Sequence, residues 1–494
     1  MKKSTYLLNI ALAGAFLASC DVLDQYPSTS RPADEAIETV SDLSNAVNGV
    51  YYVATYGYSL TMASELAIYA DLCGPDSYQP NSSGQNAARI AEYALTPNET
   101  FNAYYYLYAA LANVNKALES GALLEDQEGA APYMAELYGL RGLLHFHLAT
   151  FFCPIPTSGS ANTMGLVLSD RVFPTEYVGA RASLDETYSQ IVSDLTRAID
   201  SGENKGRNTG HLNYWAALAL RARAYLYMGE YDLALADCKS IIGAADSPYS
   251  LYTLSEYAGV WSQEGTSEML LEYIQTDNYN AQRNAPGYYT SVSGYGEYGV
   301  SPDFFCWMRN ITPDTDGSFD PEENNSQDVR SQVMEYQEIL NSSTEEVDNS
   351  GYFPLKYPGK SGSSIPQYTN NIKVIRLSEV YLIAAEAALK ATTPDQDAAD
   401  GYINTLRRNR ITGYQDVSGV TLDDILDERR KELFAEGHIA FDYWRTGKTV
   451  TQYAEGTATP NSIAPTDNRT VLPLPTEEIN VSNGVLIQNP GYGN

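Results

Sequence analysis

Cys20 carries the most definite chemistry in the sequence. It follows Leu17-Ala18-Ser19 directly, behind an apolar run from Leu7 to Ala18 broken only by Asn9, with Lys2-Lys3 at the start. The run is too short to span a bilayer, which needs about 20 apolar residues, and has the length of a signal-peptide core. Small Ala18 and Ser19 leading straight into a cysteine form the pattern cut by the bacterial lipoprotein peptidase, which predicts a Cys20 thiol that carries lipid. Acyl chains contribute about 0.8 kcal/mol per buried methylene, so two or more hold a protein firmly where one is marginal. The competing reading is a cysteine that merely follows a cleaved signal.

Tyrosine supplies a second kind of chemistry, with 40 Tyr against 12 Phe and 4 Trp. A phenol ring offers an apolar face and a hydroxyl, which suits surfaces wet on one side and packed on the other. Most of these rings, Tyr225 among them, are expected in helix seams. Those in loops are candidates for binding. Gly294-Tyr295-Gly296-Glu297-Tyr298-Gly299 matches GxGxxG, but Pro302 follows closely and no parallel-sheet pattern surrounds it, so a dinucleotide site is not expected. A flexible aromatic loop presenting Tyr288, Tyr289, Tyr295 and Tyr298 is.

Other catalytic and metal arrangements are weak or missing. His145 and His147 stand two apart on a predicted helix and point to different faces, and neither HExxH nor GxSxG occurs. With 62 acidic residues a carboxylate pair cannot be recognised by counting. Asp314, Asp316 and Asp320 surround Gly317 as calcium ligands do, without EF-hand spacing, and a solvated acidic loop is the plainer reading. Cys73, Cys153, Cys238 and Cys306 lie far apart with no CxxC pair, which suggests buried thiols. In an oxidising compartment they allow three pairings.

The composition fits these signals. The chain has 494 residues, 44% of them hydrophobic, which indicates a folded protein of two or three lobes. Its formal charge of -31 disfavours nucleic acid or an anionic bilayer surface as ligand and favours a neutral one.

The elements that must position the chemistry are mainly helices. Residues 1–19 read as a lipoprotein signal, 20–33 as a lipidated tether, 34–246 as a helical region, 247–369 as an irregular middle and 370–494 as a second helical region. Helices are expected over Thr100 to Glu119, Met134 to Phe152, Leu184 to Ser201, His211 to Met228 and Asp232 to Ile242, then Leu377 to Lys390, Ala398 to Arg410 and Thr421 to Glu436. Ser183 with Glu186 and Thr421 with Asp424 read as capping boxes. Ala222, Tyr225, Gly229, Tyr231 and Ala234 follow the spacing of a tetratricopeptide hairpin, and Gly142 with His145 begins a weaker copy. The middle is rich in Gly, Pro, Ser, Asn and Tyr, with short strand-like pieces such as Met269 to Ile274. Its length and aromatic content mark it as the ligand-contacting region.

Several segments together resemble SusD/RagB-family outer-membrane lipoproteins of Bacteroidetes, over nearly the whole length. They are Cys20-Asp21-Val22-Leu23-Asp24, Leu140-Arg141-Gly142 through Phe152 to Pro154-Ile155-Pro156, and Ile375-Arg376-Leu377-Ser378-Glu379 to Glu386. Glu428-Arg429-Arg430 through His438 to Phe441-Asp442-Tyr443-Trp444-Arg445, and Leu472-Pro473-Leu474-Pro475 to Asn489-Pro490-Gly491-Tyr492, complete the likeness. His438 stands where members commonly have Arg or Lys, and Phe101 where a Trp often opens the helix. The resemblance implies a mostly α, SusD-like fold with tetratricopeptide hairpins and a loop-rich binding region with short strands. It also implies a non-enzymatic glycan-binding protein at the cell exterior, partnered with a SusC-like TonB-dependent transporter and needing no cofactor. An oligopeptide-binding member and a surface glycoside hydrolase are the alternatives. Carried over by region, ligand contacts fall at Asp76, Tyr78 and Gln79 and within Tyr288 to Trp307.

If Cys20 is the anchor, a Cys20→Ala chain is expected to leave the membrane fraction while binding ligand in solution as before. Import by cells carrying that variant at the normal rate would refute a role for the anchor.

Overall fold

The computed structural model describes residues 36–80, 86–340, 347–453 and 460–493. Cys20, its leader and the whole of the tether lie outside them. The principal helices are α1 Val40–Ala54, α2 Asn102–Gly121, α3 Ala130–Phe152, α4 Leu184–Asp200, α5 Tyr214–Met228 and α6 Tyr231–Ile242. After them come α7 Pro302–Arg309, α8 Leu377–Lys390, α9 Gln396–Arg408, α10 Leu422–Leu433, α11 Ile439–Arg445 and α12 Thr476–Val481. From α1 to α6 each helix packs on the next, and α6 packs on α8, so the helices on either side of the middle form one continuous array. Among the described residues no helix is long and apolar enough to cross a membrane.

Local sequence explains the array. The capping boxes at Ser183 and Thr421 form as expected, and a third at Thr39–Asp42 starts α1. Helix α3 is apolar around most of its circumference and buried on nearly all sides, the mark of a central helix. Gly142 lets α4 approach, since a Cβ there would lie 2.9 Å from Leu195 Cγ and 3.2 Å from the Ile191 carbonyl oxygen. Gly229 ends α5 in a left-handed turn, φ +80, as the hairpin spacing requires. The four described cysteines are all buried free thiols.

Among the described residues four two-stranded antiparallel sheets decorate the array. They pair β1 Ser77–Tyr78 with β3 Gly299–Val300, and β2 Met269–Tyr273 with β6 Ile372–Arg376. The other two pair β4 Met334–Leu340 with β5 Val347–Pro354, and β7 Val450–Thr451 with β8 Ser462–Ile463. The middle is therefore more ordered than its composition suggests. In β2–β6, Met269 stands opposite Arg376, which brings the entry and the exit of the middle side by side.

That junction is held by buried charge. Glu432, fully buried on α10, accepts Arg376 Nη1 at 2.6 Å and Arg410 Nη2 at 3.0 Å on one oxygen, and Arg410 Nε at 2.9 Å and Arg330 Nη1 at 3.2 Å on the other. Glu268, beside β2, accepts from Arg410 at 2.5 Å and Arg376 at 3.0 Å. Glu436 accepts Arg376 Nε at 2.7 Å and Lys356 Nζ at 2.6 Å. Helix α10 was expected to continue to Glu436 but stops at Leu433, because Phe434 is extended and Ala435 adopts a left-handed φ of +61. The break directs Glu436 back to Arg376.

Burial alone would raise the Glu432 carboxyl, but Arg410, Arg376 and Arg330 hold it well below the usual range. Breaking a buried pair by removing one partner costs about 3–5 kcal/mol, because the remaining charges stay buried. Glu432→Gln is expected to lower the unfolding free energy by about that amount, measured by urea denaturation; a loss under about 1 kcal/mol would show the network is dispensable.

A pH effect follows from the buried histidines. Burial lowers His145 and His438 to about 4 and His147 to about 3. The unfolded value is about 6.5, so the stability these neutral rings contribute is complete above it and lost as pH falls through the folded values. His147 Nε2 lies 2.8 Å from the Tyr273 hydroxyl. His147→Gln should flatten the decline in stability between about pH 6.5 and about 3, the window set by the unfolded and folded values of that ring, and an unchanged profile would contradict a neutral imidazole.

Candidate functional site

Helix α7 buries Phe304, Phe305, Cys306 and Met308 and exposes Asp303 and Trp307, between well-defined ends. Ser301 Oγ accepts the Phe304 N–H at 3.3 Å, Pro302 occupies the first turn, and Asn310 closes the helix with φ +53. Asp303, Phe304 and Trp307 then share one side. Helix α10 faces them with Asp427, Arg430 and Lys431, while the β7–β8 hairpin adds Thr451, Gln452 and Tyr453. Between these elements lies an open cleft of about 750 Å³.

Asp76 and Trp307, both candidates from the sequence, meet there. Asp76 is buried and accepts Arg430 Nε at 2.9 Å and Nη2 at 2.7 Å, a bidentate pair, while Arg430 Nη1 donates to Asp427 at 2.7 Å. Burial pushes the Asp76 carboxyl up against the pull of Arg430. For Arg430 burial acts downward, but the hydrogen bond and charge of Asp76 prevail and raise it. Trp307 is 37% exposed. Its ring packs edge-on to buried Phe304 at 5.7 Å and is flanked by Arg430, at 4.8 Å from the centroid, and Lys431, at 4.2 Å. Burial lowers Lys431, with Arg330 adding to the effect. The indole is thus fixed by packing and cation–π contacts, with an edge or face left to the cleft.

The remaining candidates divide. Tyr78 stands one layer back, edge-on to the cleft residue Tyr453 at 5.5 Å. Gln79 Nε2 donates to buried Glu297 at 3.4 Å, and Glu297 also accepts Asn86 Nδ2 at 2.7 Å and the Ala87 N–H at 2.5 Å. Glu297 therefore ties the early loop to the middle. Tyr288 and Tyr295 are half-buried and pack on each other at 4.8 Å, and Tyr288 also packs on Tyr368. Tyr289 and Tyr298 are 1% and 2% exposed, so the aromatic loop expected to present them instead turns them into the core. The GxGxxG run leads into β3, which pairs antiparallel with β1, an arrangement unlike a nucleotide-binding strand and helix. Asp314, Asp316 and Asp320 lie exposed on the loop after α7. Asp316 accepts the Ser318 N–H at 3.0 Å, and Asp320 the Glu322 N–H at 2.9 Å. Among the described residues no three His, Cys, Asp or Glu side chains are grouped to hold a metal ion, so these carboxylates do not converge as a calcium site would.

Sequence reasoning missed Arg430, Phe304 and Tyr453. The signal for the first was present: Glu428 and Glu432 are four apart on α10, and Asp427, Arg430 and Lys431 occupy the opposite side.

Residues 288–492 match a family model described as the SusD family, and residues 21–226 match one described as starch-binding associating with outer membrane. The chain is 23% identical to SusD-like protein P2 of Formosa agariphila, with both chains covered in full. A SusD superfamily protein from Bacteroides thetaiotaomicron is 29% identical, with a TM-score of 0.79 over 92% of this chain and 100% of that one. A solved structure from Bacteroides vulgatus, described as a putative sugar binding protein, is 27% identical, with a TM-score of 0.79 over 93% of this chain and 100% of the other.

Proposed function

The chain belongs to the SusD/RagB family, and on that premise we propose that it is a non-enzymatic, lipid-anchored binding protein of the outer-membrane exterior. It captures oligosaccharides or polysaccharide fragments and delivers them to a SusC-like TonB-dependent transporter. The observation that carries the reading is the cleft built around Trp307. A fixed, partly exposed indole beside Asp303, Asp427 and Arg430 matches the two needs of a sugar ring, whose C–H faces stack on aromatics while its hydroxyls take charged and polar partners. The starch-binding description of the N-terminal family model and the sugar-binding description of the Bacteroides vulgatus protein support a carbohydrate.

The cleft chemistry supports holding rather than cutting. Of the three carboxylates among its described lining residues, Asp76 and Asp427 both bond to Arg430, which occupies them as acceptors instead of leaving a proton donor and a base across a scissile bond. An oligopeptide ligand would use strand edges and backbone pairing. The walls here are helix side chains and one short hairpin.

Trp307→Ala is expected to weaken binding of the bound glycan at least about tenfold, the equivalent of about 1.4 kcal/mol, with circular dichroism and melting unchanged. Calorimetry on a panel of starch, laminarin, inulin and mixed oligopeptides checks this, with reducing ends assayed in the same samples. Unchanged affinity moves the site elsewhere, peptide binding alone favours the peptide reading, and new reducing ends favour a hydrolase.

A further inference from the structure

A second groove, of about 310 Å³, opens between the C-terminal end of α1 and the loop 276–282. Tyr52 and Tyr56 stand at i and i+4 at the end of α1, and Tyr58 follows Gly57, whose φ of +99 turns the chain. These three rings are 51%, 41% and 58% exposed, unusual for large side chains lining one concavity. Tyr279 completes the platform 4.7 Å from the Tyr52 ring, and its hydroxyl is fixed by the Tyr52 carbonyl at 2.5 Å and Thr55 Oγ1 at 3.0 Å. Tyr56 is braced edge-on by Tyr106 at 4.9 Å. Tyr52, Tyr56 and Tyr279 are thus braced by neighbouring rings although Tyr52 and Tyr56 are exposed.

Its described polar rim is amide and hydroxyl but for one carboxylate, which hydrogen bonds from Ser363 and Ser364 hold below its usual pKa. Among the described residues Asp277 is the single carboxylate in the lining, and it is occupied by Ser363 Oγ at 2.6 Å and by Ser364 Oγ at 2.9 Å. Gln282 adopts φ +52, a left-handed backbone that non-glycine residues seldom take, and is held there by its N–H to Asn280 Oδ1 at 2.8 Å. Such strain persists where the surroundings over-determine it, and it gathers at ligand clamps. Here it sets an exposed carboxamide beside the tyrosines.

We infer that this groove is a second carbohydrate subsite, taking one or two neutral sugar rings of a chain whose main contacts lie in the Trp307 cleft. The inference rests on the glycan reading of that cleft. Exposed phenol faces with amide and hydroxyl neighbours suit a neutral pyranose or furanose ring. In a chain of formal charge -31, a groove whose described lining holds no Lys or Arg offers nothing to a uronate or a sulfated sugar. Two sites on one long ligand raise its affinity by effective concentration, whereas a ligand of two or three rings occupies only one.

The experiment compares the full chain, a Tyr52→Ala/Tyr58→Ala variant and Trp307→Ala. The probes are starch, laminarin and inulin, each as polysaccharide and as short oligosaccharides. Both tyrosines are exposed, so the double variant should melt as the parent does. It is expected to lose about tenfold or more in affinity for the polysaccharide while keeping short-oligosaccharide affinity within about twofold. Trp307→Ala loses both. Parental polysaccharide affinity in the double variant overturns the subsite, with the cleft reading intact if Trp307→Ala still fails to bind. If instead only the tyrosine variant loses binding, the groove is supported and the cleft reading fails. A parent chain that binds none of the probes overturns both.

Discussion

The placement of the binding elements depends on one carboxylate. Glu432 is buried between three guanidinium groups that come from distant parts of the chain: Arg330 before β4, Arg376 at the end of β6, and Arg410 after α9. No one of those segments can leave without stranding a charge in an apolar interior, where the penalty for an unpaired ion far exceeds that of an exposed one. An irregular middle of over a hundred residues has few regular backbone ladders to hold it. The ion network replaces them with side-chain bonds of defined direction.

The same helix links this constraint to the site. On α10, Glu428 and Glu432 face inward, where Glu428 meets Arg330 and Arg407 at 2.6 Å each. Asp427 and Arg430 face the cleft, where Arg430 holds Asp76, and Arg430 and Lys431 flank the Trp307 ring. Fixing the inner face therefore fixes the outer one, to within the tolerance of a rigid turn of helix. Pre-organisation of this kind cuts the entropy that a ligand must offset on binding, since the aromatic wall does not need ordering first. Glu297 does the corresponding work for the early loop, taking hydrogen bonds from Gln79, Asn86 and Ala87.

Much of this was legible in the sequence because it is local. Capping boxes at Ser183 and Thr421, the turn at Gly229 and the bounds of α8 rest on short-range chemistry, and the structure has them as expected. The end of α10 was not legible, because the left-handed Ala435 is stabilised by what Glu436 reaches across the fold rather than by any neighbour in sequence. The tyrosines failed for a related reason. Tyr288, Tyr289, Tyr295 and Tyr298 look alike along the chain, and only packing decides that Tyr289 and Tyr298 are buried. Asp76 and Trp307 were candidates through the family likeness, whereas the exposed Tyr52, Tyr56 and Tyr58 lay in the helical region 34–246 with no motif to single them out.

Charge separates what the protein excludes from what it holds. With 62 acidic against 31 basic residues, the long-range field repels anions at distances of a Debye length, about 8–10 Å at physiological salt, before any pocket is reached. Inside the cleft the balance does not reverse, because Arg430 is already shared by Asp76 and Asp427 and Asp303 remains exposed. A ligand that overcame this field through ionic contacts would need a free cation, and the guanidinium in the cleft wall is committed. Affinity must then come from contacts that ignore net charge, which are stacking on rigid rings and hydrogen bonds to neutral hydroxyls. On the proposed reading, an acidic surface carrying aromatic platforms would select neutral ligands by long-range exclusion and retain them by short-range packing, two requirements that do not compete because they act at different distances.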